Sequence, residues 1–379
     1  MKEIDFIGSE NVVIIESPGR INIIGEHTDY NNGFVLPTAI DKKIRFKFKK
    51  NDSLNNCSVY SKNFEAGFAI NLAHIEPSEN QWENYILGVL HEIQKLTDRV
   101  RGFDCVLKSD IPIGSGISSS AALECGVAFG LNELFELGFS KKTIVELSQR
   151  AEHNFVGTKC GIMDQFASVM SKKGHVILLD CRSLEYEYVP IKIEPYKILL
   201  LNTNVTHSLA SSEYNNRRKE CETGIAIIKQ KYTEVNSLRD VSEGMLKEFQ
   251  AFMPPKVFDR CTYVIEEKTR VLKAVEALKN NQLNVLGDLM YETHNGLRDL
   301  YEVSCPELDF LVDFSKKYKE IIGARMMGGG FGGCTINIIH SENVESFTLD
   351  VSKAYFDKFS KNLTTFEAMP SEGTKRINN

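Results

Sequence analysis

Over the first fifty positions, apolar residues come in short runs separated by glycine, asparagine and charge. "VVII" (12–15), "INII" (21–24) and "FVLP" (34–37) read as strands. "IRFKFK" (44–49) alternates apolar and basic residues at the period of two, which predicts a sheet edge or a strand with one solvated face. From 82 to 96 the period lengthens, and Trp82, Tyr85, Ile86, Val89, Leu90 and Ile93 share one stripe of a helix. "FDCVLKSDIP" (103–112) predicts a strand ended by Pro112. A glycine- and serine-rich loop then runs into a helix, and "SKKTIVELSQRAEHNF" (140–155) predicts a second helix capped by Ser140. "HVILLD" (175–180) and "YKILLLNTNV" (196–205) predict buried strands. Residues 208–300 read as mostly helical with a break at Pro254-Pro255, and "ARMMGGGFGGCTINIIH" (324–340) as loop, then strand. Helices and strands interleave with hairpin-like pairs. The expected class is therefore α+β rather than a doubly wound sheet, divided into domains 1–170 and 171–379.

Composition narrows the partners more than the fold. The 379 residues are 42% hydrophobic and 25% charged, an ordinary globular balance. A net charge of −6 disfavours nucleic acid as a main partner. No apolar run approaches the roughly 18 residues of a membrane span, and the N-terminus lacks a signal peptide's apolar core, so the expectation is a cytoplasmic protein. Nine cysteines, an odd number with no C-x-x-C pair, predict reduced thiols rather than a disulfide framework or structural zinc.

Several stretches carry more polar chemistry than their turns require. "GEHTDYNNG" (25–33) is longer than a usual hairpin connection. Asn32-Gly33 would close a turn, but Glu26, His27, Asp29 and Tyr30 are left without a reason. In "PIGSGISSSAA" (112–122), Gly114 and Gly116 permit close backbone approach, and Ser118, Ser119 and Ser120 precede a helix N-terminus. That combination suits phosphate groups, although a simply capped loop has the same look. It is neither a Walker A loop nor the Rossmann fingerprint, since Ser119 stands where the third glycine belongs. Asp164 opens an apolar run, as a helix-dipole partner or as a general base. "GGGFGG" (328–333) predicts a backbone pressed against a ligand or another loop.

Taken in order, these segments resemble a family. "SPGRINIIGEHTDYNNGFVLP" is similar to the galactokinase signature, and "PIGSGISSSAA" and "GARMMGGGFGGC" to the second and third motifs of the GHMP small-molecule kinases. "CGIMDQF", "CRSL", "HSLASSEYNNRRKECE" and "LRDLYEVSCPELD" resemble galactokinases in the same order, so the likeness spans residues 17 to 335. The resemblance implies a two-domain GHMP kinase fold with a ribosomal protein S5 domain 2-like N-terminal domain and an active site in the interdomain cleft. It implies a monomer that converts α-D-galactose and ATP to α-D-galactose 1-phosphate and ADP, as in the Leloir pathway of galactose catabolism.

By position, the resemblance makes Asp164 the catalytic base and Arg20 its electrostatic partner. Glu26, His27, Thr28, Asp29, Gly161 and Tyr214 would face the sugar. Gly114, Ser115, Gly116, Ile117, Ser118, Ser119 and Ser120 would hold the nucleotide's phosphates, with Ser120 and Glu152 as Mg²⁺ ligands. Trp82 matches a position lining the adenine site; a core aromatic on an amphipathic helix reads the same way. Met327 departs from the family by replacing a threonine of the third motif, "THNGL" (293–297) is looser than usual, and the nineteen residues before Arg20 leave out a helix common in relatives. Two rivals are a kinase for N-acetylgalactosamine and a non-catalytic galactose- and ATP-binding regulator. Thr28 and Asn31 follow the galactose pattern, and the run from Ser118 to Ala122 is intact.

Overall fold

The computed structural model describes residues 11–112, 114–205 and 210–378. The opening ten residues, Ile113 of the phosphate-like loop and His207 to Leu209 of "HSLASSEYNNRRKECE" lie outside the described residues.

The first two apolar runs form one strand, β1 (Val13–Asn22), with a register irregularity between Pro18 and Arg20. A bulge is where a strand tolerates a residue without an N–H. The short strand β2 (Phe34–Val35) follows, then the basic strand β3 (Pro37–Lys50). β4 (Asn56–Ser61), β5 (Ala66–Asn71), β6 (Phe103–Ser109) and, from far along the chain, β13 (Lys375–Ile377) complete a sheet ordered β13-β1-β3-β6-β4-β5. β3 is thus an interior strand rather than an edge. Its alternation reports a solvated face, with Arg45 and Lys47 exposed and Phe46 and Phe48 wholly buried.

β2 instead joins β7 (His175–Asp180) and β8 (Tyr186–Pro190) in a small sheet. A third sheet is ordered β10-β11-β9-β12, from β9 (Tyr196–Asn202), β10 (Ile321–Met326), β11 (Cys334–His340) and β12 (Thr364–Ala368). The "ARM" of the expected loop is therefore the end of β10, and residues 327–333 connect a hairpin. Among the described residues only the β4–β6 pairing is parallel.

Helices α1 (Gln81–Gln94), α2 (Ser119–Phe135), α3 (Lys141–Ala151) and α4 (Met163–Met170) pack together beside the first sheet. The Ser140 side chain accepts the Thr143 N–H as the N-cap of α3. A π-helical turn at 152–156 extends α3 and carries Glu152. The predicted helical half contains α5 (Ala210–Lys229), α6 (Glu243–Glu248), α7 (Pro255–Lys279) and α8 (Leu283–Asp299). Pro255 occupies the first turn of α7, where its missing N–H costs nothing. α9 (Pro306–Ser315) and α10 (Val344–Phe359) cover the third sheet. All nine cysteines are free thiols. Among the described residues no helix is long and apolar enough to cross a membrane.

Candidate active site

β1 ends beneath the loop 25–33, and α4 begins opposite it. Arg20 on β1 meets Asp164 in the first turn of α4 by two parallel hydrogen bonds, Nε to Oδ1 and Nη2 to Oδ2, each 2.7 Å. The remaining guanidinium nitrogen, Nη1, donates to the Gly116 carbonyl at 2.7 Å. The Ser118 hydroxyl also donates to Asp164 Oδ2. One carboxylate therefore gathers a strand, a helix and the Gly/Ser loop. Burial opposes the Arg20 charge, but Asp164 and Glu26 outweigh it and raise its pKa.

A cavity of about 130 Å³ opens beside this pair, lined by residues that include Glu26, His27, Asp29, Glu152, Gly161 and Tyr214. Glu26 is held from the far end of the chain: Oε1 accepts from Arg325 Nη2 and from Gly328 N, both at 3.0 Å. His27 sits at φ +62°, with Nδ1 2.8 Å from the Tyr30 hydroxyl and its ring against Tyr214. Burial and the Arg217 charge depress its pKa to about 3, against a smaller opposing effect of the Gly329 backbone, so the ring is neutral. Asp29 lies against Gly161, where a Cβ would fall 1.9 Å from Oδ2. Burial and the neighbouring Asp164 raise the Asp29 pKa to about 7. Thr28 departs from the expectation. It is fully buried, directs its hydroxyl at the Gly25 and Phe34 carbonyls, and does not line the cavity; it fastens the loop shut.

The Gly/Ser loop holds Gly114, Gly116 and Ser118 at positive φ. Ser118 stands at the N-cap of α2 without a capping bond, so no side chain from that position covers the helix's first N–H groups. Ser115 donates to the Pro112 carbonyl at 2.6 Å, and the buried Ile117 accepts the Arg20 N–H through its carbonyl at 3.0 Å. Those two side chains build the loop and leave only backbone for a ligand. The glycine run answers to another loop: a Cβ on Gly328 would lie 3.1 Å from the Gly116 carbonyl. Met327, in the threonine's place, is buried and makes a backbone bond to Cys334. A second cavity of about 150 Å³ joins Trp82, Phe64 and Tyr85 to Ser119 and Ser120. Trp82 is half-buried and also packs on Phe64 and Phe68, so it is at once a packing residue and a wall beside the loop.

Glu152 reaches the first cavity, and its pKa is raised to about 7 by burial and by Asp164. Gln165 Nε2 bridges it at 2.8 Å to the fully buried Glu124 at 3.1 Å. Burial and Glu152 together push the Glu124 pKa well above the usual carboxylate value. Sequence reasoning passed over Glu124, Gln165, Arg325 and Tyr301. A charged residue inside the apolar run 321–326 was the available signal for Arg325, because a buried charge demands a partner.

The GHMP kinase N-terminal domain profile matches residues 84–172, and the GHMP kinase C-terminal profile matches 274–357. The galactokinase galactose-binding signature matches residues 4–50. A galactokinase of Thermosipho africanus is 43% identical over 363 residues, covering 96% of this chain and 99% of the relative. The chain belongs to the galactokinase family of GHMP kinases. A galactokinase of Thermotoga neapolitana is equally similar, at 43% identity over the same shares of both chains. The crystal structure of Lactococcus lactis galactokinase complexed with galactose superposes with a TM-score of 0.93 at 32% identity, covering 97% of this chain and 96% of that one. The Methanococcus jannaschii mevalonate kinase, at 19% identity and a TM-score of 0.67, shares the fold alone. The two-domain GHMP kinase architecture expected from the motifs is the one observed, and a galactokinase-family chain with both kinase domains is an enzyme.

Proposed function

We propose that this enzyme transfers the γ-phosphoryl group of ATP to the anomeric hydroxyl of α-D-galactose, in galactose catabolism. The observation that carries the reading is the Asp164 carboxylate, held by Arg20 at the floor of the sugar-signature cavity and tied through Ser118 to the phosphate-like loop. Glu26 and Asp29 would accept sugar hydroxyls, with His27, Gly161 and Tyr214 around them. The 1–170 segment would supply most of these groups, and 171–379 would contribute Tyr214 and the glycine loop.

A sugar hydroxyl is a weak nucleophile at neutral pH. Asp164 would take its proton as the oxygen bonds to the γ-phosphorus and the bond to the leaving ADP oxygen breaks. Arg20 keeps its charge throughout, so it would orient Asp164 and offset charge on the transferring group. Ser119 and the uncovered N–H groups of α2 would receive the phosphates, and Trp82 would border the adenine.

Among the described residues no three His, Cys, Asp or Glu side chains are grouped as a metal site. Mg²⁺ takes few protein oxygens and completes its shell with phosphate and water, so a sparse ligand set would suffice for it. Ser120 and Glu152 offer a hydroxyl and a carboxylate from two helices that pack together, and Glu152 lies among acids without an ion pair among the described residues. Both would supply oxygen ligands of the kind the ion takes, and when bound it would neutralise charge on the nucleotide's phosphates.

The test is ADP release with galactose, N-acetylgalactosamine, talose, 2-deoxygalactose and no sugar. Turnover with galactose is expected. Turnover confined to the acetylated sugar overturns the substrate, and galactose binding without ADP release overturns the catalysis.

A further inference from the structure

Behind His27 lies a chain of polar groups that the proposed reaction does not use. Nδ1 is 2.8 Å from the Tyr30 hydroxyl, which is 2.7 Å from the Tyr301 hydroxyl, which is 3.2 Å from Cys221 Sγ. Asn31 Nδ2 donates to the same sulfur at 3.7 Å. Tyr301 and Cys221 are buried, and Tyr301 packs its ring on His27 at 4.8 Å between centroids. At the other end His27 Nε2 is buried and makes no close hydrogen bond among the described residues, while His27 lines the cavity and the Gly329 backbone beside the ring favours a proton on it.

We propose that Tyr301, Tyr30 and Cys221 are positioning residues that fix His27 in its Nε2–H tautomer, so that the imidazole presents a hydrogen-bond donor to the sugar. The inference rests on reading this cavity as the sugar site.

A neutral imidazole carries one proton, and the hydrogen bond at one nitrogen decides the other. Each phenol has one proton to give. Two concerted arrangements of the chain are therefore open. In the first, the thiol donates to Tyr301, Tyr301 to Tyr30, and Tyr30 to Nδ1, which leaves the proton on Nε2. In the second every donor reverses, Nδ1–H donates to Tyr30, and the sulfur must accept from Tyr301 as well as from Asn31. A mixed arrangement leaves either two phenol oxygens 2.7 Å apart with no proton between them or the Tyr30 O–H without an acceptor in the chain.

The first arrangement is the better one at both ends. Sulfur is a weak acceptor, and Asn31 already occupies it, so its S–H is free to donate. At the other end a phenol O–H meets the basic ring nitrogen. The consequence for recognition is direct. The Glu26 carboxylate, paired with Arg325, only accepts, and a sugar hydroxyl whose oxygen lone pairs face the cavity needs a donor. The Nε2–H supplies it.

The decisive experiment is long-range ¹H–¹⁵N NMR on the unmodified full chain with ¹⁵N-labelled histidine, assigned through His27→Asn. A pyridine-type Nδ1 and a pyrrole-type Nε2 are expected for His27. The reverse pattern overturns the proposal. Tyr301→Phe keeps volume but cuts the relay, and is expected to bring both tautomers into exchange and raise the galactose KM about tenfold, with kcat and the ATP KM within about twofold. An unchanged tautomer in folded Tyr301→Phe also overturns it. If the enzyme phosphorylates no galactose, the proposed function fails on the sugar panel, while the NMR result stands or falls by itself.

Discussion

Arg325 on β10 reaches Glu26 in the loop 25–33 across 299 residues of chain, with Nη2 3.0 Å from Oε1 and both side chains buried. The same guanidinium donates to the carbonyls of Asn22, Ile23 and Met326. Breaking a buried pair by removing one partner leaves an uncompensated charge, which costs about 3–5 kcal/mol. Arg325→Met is expected to lose about that much stability in urea titrations. The double variant with Glu26→Gln is expected to recover part of it, because the orphaned charge is gone. Equal stability of the wild type and Arg325→Met contradicts this account of the loop.

Asp164→Asn keeps the size and loses the basicity of the side chain. Sugar binding by calorimetry is expected to persist, and kcat to fall by at least about a hundredfold, the lower bound for a lost general base. Turnover near the wild-type value removes Asp164 from the base role.

Gly161 has no room for a methyl group, since the added carbon would lie 1.9 Å from Asp29 Oδ2. Overpacking of this kind costs about 1–3 kcal/mol. Displacement of Asp29 sends that cost into recognition, so Gly161→Ala is expected to raise the galactose KM by about ten- to a hundredfold. Initial-rate kinetics check it, and an unchanged KM refutes the contact.

Stability carries a pH signature from the same cavity. Asp29 keeps its proton up to about pH 7 when folded, against a usual aspartate value of 3.8, and Glu152 behaves alike, from 4.5 to about 7. Between those values the folded chain binds more protons than the unfolded one, so these groups make stability fall as pH rises through the window. His27, depressed from 6.5 to about 3, acts in the opposite direction, because there the unfolded chain takes the proton. Comparing variants isolates the carboxyl group. Asp29→Asn is expected to gain in melting temperature on the wild type as pH goes from 5 to 7.5. A difference independent of pH contradicts the assignment.

Trp82 is the sole tryptophan and borders the Gly/Ser loop. Its fluorescence is expected to change on adding ATP and to stay constant with galactose alone. Trp82→Leu is expected to raise the ATP KM by up to about tenfold, the worth of one aromatic contact. The same emission with and without nucleotide removes Trp82 from the adenine wall.

Local features were legible because they depend on local chemistry. The periodicity of α1, the Ser140 cap and the proline at the start of α7 all belong to a few neighbouring residues. The interior position of β3 was not legible, because a solvated face and an edge produce the same alternation. β10 was hidden because its last residues run into a glycine loop without punctuation. In the site, the ordered motifs brought forward Arg20, Glu26, Asp29 and Asp164, but the role of a motif residue depends on where it points. Thr28 turned to carbonyls of its own loop. Arg325, Tyr301 and Gln165 take their decisive partners from distant parts of the chain, Glu26, Tyr30 and Glu124 among them, and no spacing rule in the sequence records that.

The support of Glu26 by Arg325 and Gly328 has a bearing on how the enzyme comes into being. A nascent chain that has not yet brought β10 into place lacks the Arg325 and Gly328 bonds that hold Glu26. A ligand that occupies the finished cavity selects the mature form by mass action, and galactose in the growth medium would then raise the yield of a destabilised variant such as Arg325→Lys in the manner of a pharmacological chaperone.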